Sequence, residues 1–134
     1  MQKLASLDAW TRSRELSRTA YKLTLEGTLS RHFGLADQIR RAAAAVPANI
    51  AEGYALATTP QFIRCLRIAL GSATELCTHL ELAFEMGLIR DEEAKRTLAL
   101  CNRVIALLIG LLRRLGSRYA VRRTLPASPF PLPD

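Results

Sequence analysis

The sequence predicts an all-α protein, on three observations. Leucine and alanine are abundant while aromatics supply only 6% of the residues, apolar positions recur at steps of three and four, and no stretch alternates apolar with polar residues as a half-buried strand would. Glycine, proline and capping residues cut this pattern into four helices, expected at about residues 8–25, 35–56, 60–86 and 92–115. With 134 residues and 49% hydrophobic content, the chain suits one domain with one core, drawn from residues 1–116.

The first helix is expected to start at Ser6 or Asp8, both competent N-caps, and to stop before Gly27. Ala9, Leu16, Ala20 and Leu23 form its core stripe. Leu7, Trp10, Tyr21 and Leu25 make a second apolar side, with Arg14 and Arg18 among them, which calls for two neighbours. Aromatics interleaved with arginines also stack on unpaired bases, but in a chain so poor in aromatics packing is the simpler reading. The link from Glu26 to Gly34 is polar and basic, and His32 within it reads as an exposed loop residue.

The second helix carries the least ordinary stretch, QIRRAAAAVPANIAEG, from Gln38 to Gly53. Pro47 removes a backbone donor and its ring crowds the Ala43 carbonyl, so the helix is expected to kink there. At about 100° per residue, Leu35, Ile39, Ala42, Val46, Ile50 and Gly53 share one face, and Arg41, Ala44, Ala45, Ala48, Glu52 and Ala55 share the opposite one. Side chains that small let another backbone approach closely, so the outer face reads as a packing surface between subunits.

Thr59 and Pro60 signal the third helix, a cap followed by proline at the first helical position. Its stripe, from Phe62 through Leu66, Ala69, Ala73, Leu76, Cys77 and Leu80 to Phe84, has the spacing of a left-handed bundle. Gly71 lies outside the stripe, where it admits another helix or a slight bend, and Gly87 ends the helix. Asp91 is expected to cap the fourth helix, with Glu92 and Glu93 complementing its dipole. The apolar arc of that helix, Leu98 to Leu115, is wider than one core needs, and Ile68 and Leu82 lie on the back of the third. This surplus implies a homo-oligomer. Pro126, Pro129, Pro131 and Pro133 make 117–134 a basic, proline-rich tail expected to be flexible.

The formal net charge is +7 and its distribution is uneven. Between residues 94 and 133 stand Lys95, Arg96, Arg103, Arg113, Arg114, Arg118, Arg122 and Arg123, with no acid. Such a field attracts polyanions without choosing among RNA, DNA, an anionic membrane and an acidic protein. Arg96, Arg103 and Arg114 align within about 20° of one another along the fourth helix. With Arg113 and Arg118 they are the candidates for phosphate contact, which suits the fork of a guanidinium. The plain alternative is a solubilising face opposite the core.

Cys65, Cys77 and Cys101 are odd in number and unrelated in spacing, which suggests neither a disulfide framework nor a zinc knuckle and fits a reducing cytoplasm. Cys77 and Cys101 fall on core stripes and Cys65 on a flank, and the sequence places no base to activate any of them. Glu75 and His79 stand one turn apart, but di-iron bundles use Glu-x-x-His pairs projecting into the core, whereas this pair is spaced by four and faces away from it. Nor is there a glycine-rich phosphate loop. No catalytic residue, metal or cofactor is therefore expected. The N-terminal MQKLASLDAW lacks the apolar segment of a signal peptide, and the longest apolar run, Val104 to Leu112, is far short of the ~20 residues that span a bilayer.

LDAW and YKLT in the first helix, QIRRAAAAVPANIAEG in the second and FIRCLRIALGSATELCTHLELAFEMGLI in the third together resemble the bacterial family of 23S rRNA intervening-sequence proteins. The resemblance covers about residues 7–89, and Arg41, Pro47, Asn49, Glu52, Gly53 and Gly71 are its structural motif residues here. It implies an antiparallel up-and-down four-helix bundle that assembles into a homopentamer, with genes often lying within ribosomal RNA insertions. The related accessory proteins of diversity-generating retroelements are similar in fold and bind nucleic acid and a reverse transcriptase through a basic pentameric surface. The arginine-rich end and proline tail depart from the pattern, so the resemblance says nothing about them. The expected function is a non-catalytic oligomer that binds nucleic acid, RNA favoured, mostly at phosphates. The alternatives are a protein scaffold, for example for a reverse transcriptase, and last a metal-dependent enzyme.

Overall fold

The computed structural model describes Leu4 and residues 7–122, with side chains through residue 116. Its four helices are α1 (Asp8–Leu23), α2 (Phe33–Ala55), α3 (Thr59–Glu85) and α4 (Asp91–Arg122), with a 3-10 turn at Thr28–Arg31. Each helix packs on its neighbours in sequence and α4 closes the ring on α1, while diagonal pairs barely touch. With connections this short, that is the up-and-down antiparallel bundle. The α1–α2 and α3–α4 connections lie at one end, where both line a shared cavity, and the α2–α3 turn lies at the other.

The core is where the periodic stripes meet. Leu16, Ile39, Val46, Ile50, Leu66, Leu76, Leu80 and Leu108 are wholly enclosed, each contributing about 1.5–3 kcal/mol through burial. On α2 the expected inner face is inward, and Arg41, Ala44, Ala48, Glu52 and Ala55 are exposed. The helix is unbroken through Pro47, and the Asn49 side-chain amide donates to the Ala45 carbonyl one turn before it, at 2.8 Å.

Three caps differ from expectation. Leu7 occupies the N-cap of α1 with no side-chain bond and Asp8 is already helical, while Ser6 lies outside the described residues. Thr58, not Thr59, caps α3, because its backbone is extended (φ −104°, ψ 144°) and its hydroxyl accepts from the Gln61 N–H. At α4 the Arg90 carbonyl accepts from the Ala94 N–H at 2.9 Å, so Asp91 falls inside the first turn. There it acts with Glu92 and Glu93 on the helix dipole rather than as the cap.

The other corrections come from close packing and from glycine. Cys65, expected on a flank, is 1% exposed, because α2 and α3 close together at Gly53. A Cβ on Gly53 would stand 2.7 Å from the Cys65 Cβ and 3.3 Å from the Phe62 Cα. Gly71, expected to admit another helix or a slight bend, faces open space, so no described helix of this chain fills that position. Gly87 ends α3 as expected, with φ +72°. There the Leu88 N–H reaches back to the Ala83 carbonyl and the Gly87 N–H to that of Phe84, the Schellman pattern. Gly116 ends nothing, and α4 runs on to Arg122. The rest of the expected tail, 123–134, lies outside the described residues.

Candidate nucleic-acid interface

The long last helix is the platform. Ala94, Cys101, Val104, Leu108 and Leu112 seat it in the core, its acids are confined to the first turn, and the face left over carries arginines. Arg96, Arg103, Arg113 and Arg114 are all exposed. Arg118 lies on the same helix, and its side chain is outside the described residues.

The arginines differ in their surroundings. At 1.5 Å per residue, Arg96 stands about 8 Å from the start of α4, Arg103 about 18 Å, and Arg113 and Arg114 about 33–35 Å. Arg96 lines a groove of about 420 Å³ between α1 and α4, shared with Glu15, Glu26 and Glu93. The carboxylates of that groove belong to the end of the bundle where α4 begins.

Arg41 pairs with Asp37 one turn back, Nε to Oδ2 at 3.0 Å, while Glu52 projects into solvent. Sequence reasoning missed its neighbour Arg40, which donates from Nε to the Thr24 hydroxyl at 2.7 Å and from Nη2 to the Thr24 carbonyl at 3.2 Å. Its guanidinium lies 5.1 Å from the Tyr21 ring centre, as that of Arg14 lies 4.7 Å from Trp10. Both aromatic faces are thus taken by arginines of the same chain, which favours packing over base stacking. Arg40 closes the C-terminus of α1, where a cation meets free carbonyls and the negative end of the dipole.

Two further exposed arginines, Arg64 and Arg67 on α3, were also missed. The signal that reveals them is the antiparallel register, which carries them alongside the far end of α4.

The three thiols are free and buried. Burial pushes the Cys101 thiol far above its ordinary range, with Cys77 beside it adding to the effect, and Cys77 is raised by burial and by Glu81. These are protonated core thiols, unlike the depressed thiols of nucleophiles. His79 and Glu75 pair with each other, Nε2 to Oε1 at 3.2 Å. Among the described residues, no three of His, Cys, Asp and Glu form a group that could hold a metal ion, and no helix is long and apolar enough to cross a membrane.

These features define a class: a four-helix up-and-down bundle whose last helix presents a row of arginines. The chain belongs to the 23S rRNA-intervening sequence protein family, whose model matches residues 5–110. It is also similar, at 27% identity, to a protein of unknown function from the S23 ribosomal protein family of Bacteroides thetaiotaomicron, known from a crystal structure at 1.70 Å resolution. That match covers 78% of this chain and 97% of the other, with a TM-score of 0.70. Among curated proteins, none matches significantly. The family match stops short of Arg113, Arg114 and Arg118.

Proposed function

We propose that this protein is a non-catalytic, homo-oligomeric bundle of the cytoplasm that binds nucleic acid, RNA in preference, through phosphate contacts from Arg96, Arg103, Arg113, Arg114 and Arg118. The observation that carries the reading is the row of exposed arginines on a helix whose acids all stand in its first turn. A guanidinium on a rigid helix offers two parallel N–H donors to a phosphate, and each contact releases a counterion. Binding is then only weakly selective for sequence and falls steeply with salt.

The test is titration of labelled structured RNA with nuclease-treated protein at two salt concentrations. For Arg96→Ala, Arg103→Ala and Arg114→Ala combined, affinity is expected to fall at least tenfold and the salt slope by about 2–3, at roughly 0.9 per phosphate contact. Unchanged affinity in that variant would place the site elsewhere.

A second reading, a scaffold for a protein partner, has its own support. Phe33 is 80% exposed, Leu25 56% and Met86 55%, all at the end where α4 begins. One stoichiometric protein that co-purifies through nuclease treatment would favour it.

A further inference from the structure

Positive charge outweighs negative at the end of the bundle where α2 meets α3, and α3 contributes to it. Counting back from the α3–α4 connection, Arg64 and Arg67 lie about 27–32 Å up α3, level with Arg113 and Arg114 at about 33–35 Å up α4. At this end, among the described side chains, the carboxylates are those of Glu52 and of Asp8 at the start of α1, against the four guanidinium groups. Towards the other end, acids and bases balance: Glu75, Glu81 and Glu85 on α3 and the first-turn acids of α4 offset the basic residues there.

The register also places two of these arginines across one seam. Cys77 on α3 lies 3.8 Å from the Asn102 side chain on α4 and 3.5 Å from Glu81, which marks the flanks that the two helices turn toward each other. Arg113 follows Asn102 by about three turns and Arg67 precedes Glu81 by about four, so they border the same seam from its two sides. Neither Arg64 nor Arg67 makes an ion pair with a described residue.

We infer that Arg64 and Arg67 of α3 bind nucleic-acid phosphates, forming with Arg113 and Arg114 a contact surface across the α3–α4 seam at the α2–α3 end of the bundle. This rests on the nucleic-acid reading above and moves its centre from the face of one helix to the end of two. A membrane-binding surface would set its most exposed apolar side chains beside its cations, and a protein-docking surface would have large apolar or aromatic anchors there. Phe33, Leu25 and Met86 are at the opposite end, and among the described residues the exposed large apolar side chains near the arginines are Leu56 and Ile68, at 41% and 42%. Cations without such anchors fit a phosphodiester backbone.

The test compares Arg64→Ala with Arg67→Ala in one chain against an equal loss of charge at the other end, Arg31→Ala with Arg90→Ala. All substitutions are at exposed positions, and circular dichroism checks the fold. Binding of a labelled RNA duplex is measured across a salt series, with DNA duplex and anionic vesicles as further arms. The α3 variant is expected to lose at least tenfold in affinity and about 2 units of slope in log K against log salt, while the control stays near wild type. If the α3 variant keeps the wild-type slope, or both variants lose equally, this surface is wrong though the protein still binds nucleic acid. If wild type binds vesicles and neither duplex, the surface belongs to a membrane and the inference falls. No binding by wild type in any arm would remove the functional reading itself.

Discussion

Gly53 shows how one missing side chain sets the spacing of two helices. Within a helix, glycine is worse than alanine by about 1 kcal/mol, so Gly53→Ala would stabilise α2 if only propensity mattered. The added Cβ would meet the Cys65 Cβ at 2.7 Å and the Phe62 Cα at 3.3 Å, both too near the backbone to swing aside. Overpacking of this kind costs about 1–3 kcal/mol, and with no free volume at the site it wins. Gly53→Ala is expected to lower the unfolding free energy measured by urea titration by about 1 kcal/mol net, whereas Gly71→Ala, in open space, raises it by about 1 kcal/mol in the isolated chain. Equal gains at both positions would mean that α2 and α3 have room to spare. Sequence alone put Gly53 on the inner face and could not weigh it against Gly71, because the difference lies in what the other helix brings. The clip from Arg40 to Thr24 escaped for the same reason, since it joins residues sixteen apart.

At the scale of elements, the helices were legible and their ends less so. Periodicity located all four, since it follows from the burial that drives packing. Ends depend on backbone angles that periodicity does not report. A glycine stops a helix where it turns to positive φ, as Gly87 does, and Gly116 is simply one more residue of α4. Ala57 shows the converse. It follows α2 at φ +64°, in the left-handed region that costs a residue with a Cβ about 1–2 kcal/mol. Ala57→Gly removes that strain and returns part of the gain through the greater freedom of the unfolded chain. A net rise of about 0.5–1 kcal/mol in unfolding free energy, read as a few degrees in Tm, is expected. A fall in Tm would mean that the Ala57 methyl holds the α2–α3 turn in place. The basic surface followed the same division. The α4 arginines could be aligned from their own spacing, while Arg64 and Arg67 became part of the pattern only once the antiparallel register was known.

For the whole molecule, the apolar surplus noted in the sequence becomes a question of area. The outer face of α2, with Ala44, Ala48 and Ala55 exposed, runs about 34 Å and is roughly 10 Å wide, or on the order of 340 Å². A stable interface takes about 800 Å² from each partner, so α2 alone is insufficient. Ile68 and Leu82 on the outer face of α3, with Gly71 between them leaving the backbone approachable, add the kind of surface that is missing. Assembly through these two neighbouring helices would leave the arginines of α4 facing outward, with Arg67 on the α4 side of α3 and Arg64 at the rim of the contact. Ala48→Arg tests the arrangement, because on an isolated chain it is an exposed helical position where the change costs a few tenths of a kcal/mol. Light scattering of wild type is expected to give a multiple of the 14.8 kDa chain mass. Ala48→Arg is expected to reduce that mass toward a single chain while circular dichroism stays helical. Its RNA affinity is expected to fall with the mass, since an assembly repeats each phosphate contact and linked sites gain from high local concentration. A wild-type monomer would end the argument for assembly, and an undiminished mass in Ala48→Arg would take the interface off α2.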